Sequence, residues 1–572
     1  MLYVLSRAFR AVPRSPLLLL LLCLSLYGAS LTHDLPYVTH PDEPKVILRA
    51  IAMGAGDLNP HYFVYPSLWI YLVFLAQGIG LSVGLALGLI KSTESVPALV
   101  FLDPTLIFLA GRLLAVAFAL GTVWMTWRIG RRISLLCGWI AALAVGLFPA
   151  FVWQAHFATP DMAQLFLILL CLYVATSVTT KGQKALLSAA AIGGLAVSVK
   201  YNAFVLLVAL GAGSWFLSES RPRFRTWIAR LFLTCGVMLA AFLLTSPFIV
   251  LDTREFLRDM HELYRNAVSP FQSSVFSIFY LRVMVKSLGI PFLVCSAVGW
   301  LAVLMTGEPK RRRTSAIYAA FALAYLCLIQ SAGCKLLRYL LPVIPALAHG
   351  VGICVHLTWG YLGRRQVGRG MAIAAVAVMV GASLLPSLKG TMEVEKGLRQ
   401  ESNAALVVKW FAKNVPVRSA VLVDSETGVR LPPDRASVEE RIAGWVSDGS
   451  GRAMQLVKAY RMYLDKGYDK LGYRIMSTHA RLLNTFQMGY DVNRDFDPSV
   501  LDSLDYIVTV GRALALEGRD RRSLFYGGLK QDFSTVFVAR QGTPPDIVVL
   551  ERERDVEATP GQVHLERTSQ AE

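Results

Sequence analysis

Two adjacent carboxylates stand in an apolar part of the chain, in the segment Thr39-His40-Pro41-Asp42-Glu43-Pro44. A carboxylate in such a setting can accept a proton from a hydroxyl group or hold a divalent cation. The competing interpretation is a solvated loop, or a cap for a helix that begins near Pro44. Asp42 and Glu43 are therefore candidate catalytic residues, and Asp42 is also a candidate cation ligand.

A third acid, Asp161, follows Thr159 and Pro160 and begins a long apolar run. The local pattern also suits a helix start, with Thr159 as the cap, Pro160 in the first position and an acid in the first turn. Placement favours function, because the topology described below puts Asp42 and Asp161 on the same side of the membrane. We expect Asp161 to share the catalytic site or a cation with Asp42.

Cationic side chains next to apolar runs form a third group of candidate site residues. Lys200 interrupts two apolar stretches, Arg338 and Tyr339 precede Leu340-Leu341-Pro342, and Arg112 lies early in another run. Ionisable side chains near hydrocarbon are costly and so mark functional sites, although they can also snorkel to lipid headgroups. Because arginine binds phosphate in a bidentate manner, we expect these residues to bind a lipid-linked phosphate.

Aromatic and histidine side chains are frequent in the segment that follows Asp42. Aromatic faces can stack on sugar rings, although Trp69 and Tyr71 also fit an interfacial aromatic belt. Histidines could bind a metal, but no spacing here requires one. The candidate substrate-binding residues are His40, His61, Tyr65, His156 and Tyr201.

Composition indicates the elements that must hold these residues. The chain has 572 residues, of which 55% are hydrophobic and 17% charged, with a mean hydropathy of +0.49. Its net charge is +18, yet residues 391–572 hold 26 acids and 25 bases, which leaves 13 acids and 32 bases in residues 1–390. An excess of basic over acidic residues that is confined to the apolar part indicates a polytopic membrane protein and argues against a disordered, fibrous or nucleic-acid-binding chain.

The membrane topology follows from the charges. Arg7, Arg10 and Arg14 precede the run 16–31, which we interpret as a retained first helix rather than a cleaved signal peptide. Later basic clusters all fall on the side of these arginines if the run 68–90 lies at the outer surface without crossing. Eleven helices then span, and the first outer loop covers residues 32–105. The basic clusters are Arg128/Arg131/Arg132, Lys181/Lys184, Arg221/Arg223/Arg225, Lys310–Arg313 and Arg364/Arg365/Arg369.

Residues 391–572 have the pattern of a soluble α/β domain on the outer side of the membrane. An amphipathic helix is predicted at 403–413, before the breaker Asn414-Val415-Pro416. Strands are predicted at 420–423, 506–510, 535–539 and 547–550. The domains predicted are thus 1–390, a membrane domain, and 391–572, an extracytoplasmic domain.

The order of these motifs resembles the GT-C glycosyltransferases, and in particular glycosyltransferase family 39. That family includes protein O-mannosyltransferases and lipid A aminoarabinose transferases. The resemblance covers roughly residues 15–388, and each of its motifs is short, so their order carries it. The matching segments are His40-Pro41-Asp42-Glu43, Gly56–His61, Tyr65–Leu68, Gly111-Arg112-Leu113, Ala158–Asp161, Lys200-Tyr201-Asn202 and Arg338–Pro342.

The resemblance implies a transfer of a sugar from a polyprenyl-phosphate carrier to an acceptor on the periplasmic or luminal side. It implies Asp42 as the catalytic base with Glu43 beside it, Asp161 as the second acid, and Lys200 and Arg338 as phosphate ligands. A surface-lying helix after the first loop is also a family feature. Pro44 departs from the family pattern, in which a helix former often follows the acidic pair.

The expected function is an inverting glycosyltransferase of the cell envelope, in the bacterial inner membrane, with the site and the C-terminal domain facing the periplasm. Its partners would be a polyprenyl-phosphate-linked sugar, membrane lipids, and a lipid, glycan or protein acceptor, without nucleic acid. The sequence leaves open whether a divalent cation is a cofactor. The alternatives are a transporter or flippase for a lipid-linked sugar, which would need broken helices and internal symmetry, and a structural membrane protein.

Overall fold

Helices form most of the computed structural model. It describes residues 15–553 except for 39, 217–222, 268–277, 308, 334, 425–426, 478–497, 516–524, 528, 530–531 and 541–545. Arg7, Arg10, Arg14 and Arg221 lie outside the described residues. The helices of the first half are α1 Leu17–Gly28, α2 Glu43–Ala52, α3 Ser67–Ala86, α4 Val96–Phe101, α5 Thr105–Arg131, α6 Leu135–Gly146, α7 Pro149–Ala155, α8 Asp161–Ala175, α9 Val178–Val199, α10 Leu206–Trp215, α11 Phe224–Thr245, α12 Phe248–Leu251 and α13 Thr253–Ala267.

The second half continues the helical pattern and then adds strands. Its helices are α14 Phe279–Leu288, α15 Ile290–Thr306, α16 Pro309–Ser331, α17 Ile344–Arg364, α18 Arg369–Arg399, α19 Asn403–Asn414, α20 Arg435–Asp448 and α21 Gly451–Asp465. Two 3-10 segments, Tyr201–Val205 and Leu337–Val343, interrupt the helices beside Lys200 and at Arg338. Backbone that leaves the helix there can turn these cationic side chains away from lipid.

The helices have the length and surface of membrane spans. Among the described residues, six are long and apolar enough to cross a membrane, or eight if each of two bent helix pairs forms one span. Large apolar side chains lie on their outer surfaces, with Phe232 74% and Leu244 81% exposed. Such surfaces are unfavourable in water and are compatible with lipid tails. The chain is therefore an integral membrane protein, and the count of eleven spans stays a prediction.

The predicted topology depends on whether helix α3 crosses the membrane. It covers 20 residues, which is enough to cross the hydrocarbon, and only 28% of its most apolar window is buried. Length and composition therefore permit α3 to span, whereas the distribution of basic residues favours a helix lying at the outer surface. The surface-lying placement stays a prediction.

The chain divides into two compact units. The first comprises residues 1–401, 438–468 and 486–489, and the second comprises 402–437, 469–485 and 490–572. Helix α21 therefore groups with the membrane helices, although the sequence pattern placed it in a separate C-terminal domain. The structural division thus differs from a single boundary at 390.

The second unit contains a five-stranded sheet. Its strands are β1 Ala420–Val423, β2 Arg474–Ser477, β3 Tyr506–Val510, β4 Phe533–Ala539 and β5 Ile547–Arg552, in the order β2-β1-β3-β5-β4. β1 pairs in parallel with β2 and β3, and β5 pairs antiparallel with β3 and β4. Helix α19 starts at the Ser402 cap, whose side chain accepts a hydrogen bond from the Ala405 amide.

Helices α15 and α17 approach closely through glycines. A Cβ added at Gly299 would overlap the carbonyl oxygen of Gly350. Overpacking of this kind typically costs about 1–3 kcal/mol. By contrast, a Cβ at Gly236 on α11 would meet nothing within 4 Å.

We predict that Gly299→Ala lowers the thermal unfolding temperature of the detergent-solubilised protein by several degrees, since the two backbones must separate. The matched variant Gly236→Ala should unfold within about one degree of the wild type, as expected for a site without overpacking. Equal unfolding temperatures for the two variants would contradict the close packing of α15 on α17.

Candidate functional site

Asp42 does not cap helix α2. It occupies the cap position, but its side chain makes no capping hydrogen bond. Instead, Oδ1 accepts a hydrogen bond from Lys45 Nζ at 2.9 Å, and Oδ2 accepts one from Arg338 Nη1 at 2.5 Å. A residue three positions along α2 and one 296 positions away therefore bind the two oxygens of one carboxylate.

The surroundings of Asp42 keep it ionised. Burial by itself raises the pKa of this carboxyl, but Lys45, Arg338 and His40 outweigh it and hold the pKa well below its usual range. His40 accepts a hydrogen bond from the Asp42 amide at 3.2 Å and stacks on Phe157 with ring centres 4.3 Å apart. Burial lowers the pKa of His40 to about 4, so this ring is neutral at physiological pH.

Glu43 and Arg112 form a fully buried ion pair. Arg112 donates from Nε to Oε1 at 2.9 Å and from Nη2 to Oε2 at 2.7 Å, and both side chains have no exposed surface. Glu43 Oε1 also accepts a hydrogen bond from the Ala158 amide, and Arg112 Nη1 donates to the carbonyls of Leu31 and His33. In this structure the two side chains satisfy each other and nearby backbone groups, and their catalytic and phosphate-binding roles stay predictions.

Asp161 and Lys200 form the second ion pair of the site. Lys200 Nζ donates to Asp161 Oδ1 at 2.8 Å, and Lys200 lies in extended backbone between α9 and the 3-10 segment Tyr201–Val205. Thr159 donates to Gln154 rather than capping α8. The helix-start interpretation is thus wrong about Thr159 as the cap, whereas Asp161 does lie in the first turn of α8.

Tyr339 joins Lys200 to Arg338. Lys200 Nζ lies 5.2 Å and Arg338 Cζ lies 5.9 Å from the centre of its ring. Since Arg338 contacts Asp42, the structure places Asp42, Arg338, Tyr339, Lys200 and Asp161 in one connected cluster. Burial raises the pKa of Tyr65 well above its ordinary value and the nearby Asp42 raises it further, which places Tyr65 beside this cluster.

Tyr201 and Asn202 fix the segment that carries Lys200. The Tyr201 hydroxyl donates to the carbonyl of Phe63 at 2.8 Å, and Asn202 is hydrogen-bonded to both Gln164 and Tyr325. Tyr201 therefore links the first outer loop to the Lys200 segment. We keep its role in substrate binding as a prediction.

His156 lies outside the Asp42 cluster. It is fully buried, its Nδ1 lies 2.8 Å from the Val152 carbonyl, and its Nε2 lies 3.6 Å from Glu395. His156 therefore lies inside the helical packing, and its contact with a substrate stays a prediction.

His61 is surrounded by three acids. Its Nε2 lies 3.0 Å from Asp57, and its Nδ1 lies 3.2 Å from Asp252 and 3.4 Å from Glu255. Burial lowers the pKa of His61, but hydrogen bonds to Glu255 and Asp57 outweigh burial and raise the pKa above its ordinary value. The sequence grouped His61 with substrate-binding residues, whereas the structure groups it with carboxylates from the segment 252–255.

The His61 cluster is also a candidate metal site. His61, Asp252 and Glu255 can each offer one ligand atom, and these atoms lie within 4.8 Å of one another. Glu255 Oε2 is buried, and His61 Nδ1 lies 3.4 Å from it. Imidazole with carboxylates is a ligand set for zinc and similar divalent ions. Asp42 and Asp161, by contrast, have lysine or arginine at their oxygens.

Two contributors escaped the sequence analysis. Lys45 could have been found, because a base three residues after an acid on a helix faces it. Arg452 on α21 could not, since its partners are distant in sequence: Nη2 donates to Asp259 at 2.5 Å and Nε to the His61 carbonyl at 2.7 Å. Arg452 and Arg49 also lie over the Tyr62 ring, at 5.4 and 4.1 Å.

The chemistry of the Asp42 cluster is clear from its charges. An ionised carboxylate can take a proton from a hydroxyl group. Two cations beside it, Arg338 and Lys200, can stabilise an anionic group in the same reaction. This combination suits a displacement in which a hydroxyl attacks and a phosphate leaves.

Comparisons with known proteins give a match to one family model and similarity to several solved structures. Residues 107–251 match the family model of dolichyl-phosphate-mannose-protein mannosyltransferase. The structure of ArnT from Cupriavidus metallidurans bound to undecaprenyl phosphate is similar with a TM-score of 0.53 and 16% identity, over 95% of this chain and 99% of that one. The apo structure of the same protein is similar with a TM-score of 0.52 and 15% identity, over 93% of this chain and 97% of that one. The apo structure of the Archaeoglobus fulgidus oligosaccharyltransferase has a TM-score of 0.49 and 10% identity, over 91% of this chain and 72% of that one. The comparison with curated proteins finds no match.

These similarities define the class of protein. The ArnT structures share the fold of nearly the whole chain, so this is a membrane protein with the GT-C fold. The match of residues 107–251 to the mannosyltransferase family model agrees with the resemblance to family 39 seen in the motifs. The matched segment contains Asp161 and Lys200 but neither Asp42 nor Arg338, so the roles of the latter two rest on geometry.

We predict that a divalent cation, tested as Zn²⁺ at pH 8, raises the thermal unfolding temperature of the wild type, because binding to the folded state stabilises it by about 2.7 kcal/mol at one hundred times Kd. The increase should be absent in Glu255→Gln and smaller at pH 5.5, where the raised pKa keeps His61 protonated and unable to bind metal. Asp103→Asn, in an exposed loop, is the control. A Zn²⁺ effect of equal size in Glu255→Gln would rule out this site.

Proposed function

We propose that this protein transfers a sugar from a polyprenyl-phosphate carrier to an acceptor hydroxyl at the outer face of the membrane, with inversion at the anomeric carbon. The observation that carries the proposal is the contact of Asp42 with Arg338 at 2.5 Å beside the Lys200–Asp161 pair. A base and two phosphate-binding cations thereby occupy one cluster.

The proposed reaction is a single displacement. Asp42 takes the proton of the acceptor hydroxyl, and the oxygen attacks the anomeric carbon. The bond from that carbon to the phosphate oxygen breaks, and the electron pair leaves with the phosphate. Inversion follows because attack and departure occur on opposite faces of one carbon. Arg338 and Lys200 stabilise the departing phosphate as its charge develops.

Asp161 has a supporting role in this proposal. Its ion pair with Lys200 fixes the ammonium group over Tyr339, where the phosphate would lie. Keeping Lys200 in one position lowers the entropy that donor binding would otherwise lose.

The donor class is supported by the fold and by the chemistry of the site together. The ArnT structure of the same fold was determined with undecaprenyl phosphate. A lipid phosphate also suits cations that lie at the ends of membrane helices, as Lys200 and Arg338 do. We further propose that the site and residues 391–572 face the periplasm of a bacterial inner membrane and that the latter help to select the acceptor.

A transporter or flippase is the second candidate. Two bent helix pairs favour it: α6 with α7 at 65°, and Phe279–Leu288 with Ile290–Met305 at 104°. Broken helices are common in secondary transporters. The paired acid and cations at helix starts and in loops argue for chemistry instead, because transport requires no base.

We predict that Asp42→Asn lowers sugar transfer by at least about 100-fold, the usual contribution of a general base. The measurement is transfer from a panel of radiolabelled undecaprenyl-phosphate sugars to endogenous acceptors in membranes. Asp103→Asn should retain wild-type transfer.

The outcomes separate the two candidates. Transfer that survives in Asp42→Asn would remove Asp42 as the base. Absence of transfer by the wild type, combined with movement of a labelled lipid-linked sugar across vesicles, would support the flippase and overturn the transferase.

A further inference from the structure

The hydrogen-bonding groups of the Arg338 guanidinium are only partly used. Its Nη1 binds Asp42, but its Nε is buried and has no hydrogen-bond partner among the described residues. A buried donor without an acceptor lowers stability, because it has lost its hydrogen bond to water without replacement. The guanidinium would gain from a ligand that offers acceptors to two of its N–H groups.

A phosphate at the Tyr339 ring offers those acceptors. Lys200 Nζ lies 5.2 Å and Arg338 Cζ lies 5.9 Å from the centre of this ring, so both cations border the ring beside which the phosphate would bind. Lys200 already has Asp161 as a partner at 2.8 Å. Arginine binds phosphate through two parallel hydrogen bonds. One of these would give the Arg338 Nε–H group the acceptor that Asp42 does not provide.

Lys45 can hold Asp42 by itself when Arg338 turns away. Its Nζ donates to Oδ1, whereas Arg338 uses Oδ2, so the two contacts are independent. Lys45 lies three residues from Asp42 on the first turns of α2 and needs no rearrangement. The groups near Asp42 are Lys45 on α2, His40 in the loop, Arg338 in the 3-10 segment, and the neighbouring Tyr65 and Asp161.

We propose that Arg338 exchanges Asp42 for the donor phosphate, and that Lys45 is the positioning residue that then holds the base. The inference rests on the proposed function. In this structure Arg338 occupies an oxygen of Asp42 that the acceptor hydroxyl needs. Donor binding removes Arg338, so the donor binds before the acceptor can be deprotonated.

The exchange is tested by the binding of undecaprenyl phosphate, without sugar, to the purified full-length protein. Asp42→Asn should bind it about tenfold more tightly than the wild type, because Arg338 no longer has to leave a carboxylate. In the Arg338→Gln background the same substitution should change Kd by less than about twofold. This double-mutant cycle separates two effects of Asp42→Asn on binding. Release of Arg338 from Asp42 can strengthen binding only when Arg338 is present. Removal of a negative charge near the phosphate would strengthen binding in the Arg338→Gln background as well.

The binding outcomes are distinct. A gain of equal size in both backgrounds, or no gain in either, overturns the exchange and leaves the proposed function standing. A wild type that does not bind undecaprenyl phosphate, with Asp42→Asn equally inactive, overturns the donor class and with it the exchange. Asp103→Asn is the control and should bind like the wild type.

The role of Lys45 is tested by kinetics. Lys45→Met should lower kcat about 10- to 100-fold while the KM for the donor stays within about threefold, and Lys45→Arg should restore most of kcat. The acid limb of the pH profile should move to higher pH in Lys45→Met, because loss of the cation raises the pKa of Asp42. A structural role alone would leave the acid limb in place, and that result would overturn the assignment.

Discussion

The buried pair of Glu43 and Arg112 determines where Asp42 points. With no exposed surface on either side chain, the pair also binds the amide of Ala158 and the carbonyls of Leu31 and His33. It therefore ties the first outer loop to the start of α5 and to the segment before α8. Removal of one partner from such a pair typically costs about 3–5 kcal/mol, because it leaves a buried charge uncompensated. Asp42 is adjacent to Glu43 in the chain, and its orientation follows from this anchor.

Charge compensation explains how the remaining ionisable groups stay charged although they are buried. Asp42 is paired with Lys45 and Arg338, Asp161 with Lys200, and Asp259 with Arg452. An isolated charge in such a place would be neutralised or expelled, whereas paired charges keep their ionised forms. Breaks in the helices contribute, since Lys200 and Arg338 both lie at or in 3-10 segments rather than inside helices. The cations can then be presented to a ligand and away from hydrocarbon.

Local patterns predicted the elements well where one short segment contains the whole signal. Ser402 caps the helix expected at 403–413, and the strands expected at 420–423 and 506–510 are β1 and β3. Strand β2 at Arg474–Ser477 was missed, because four residues with mixed polarity become a strand only by pairing with β1. The grouping of α21 with the membrane helices was missed for a similar reason, since its contacts with the first outer loop involve residues almost 400 positions away.

The sequence by itself determined the membrane class, the family resemblance and the candidates Asp42, Asp161, Lys200 and Arg338, because hydropathy and motif order are properties of the linear chain. Tertiary structure decided which candidates meet. It paired Glu43 with Arg112 in a buried ion pair, placed His61 in an acidic cluster and His156 in the helical packing, and added Lys45 to the site. The physical reason is that a charged side chain takes its role from the partner that compensates it. Arg338 lies 296 positions from Asp42, and no local pattern records that contact.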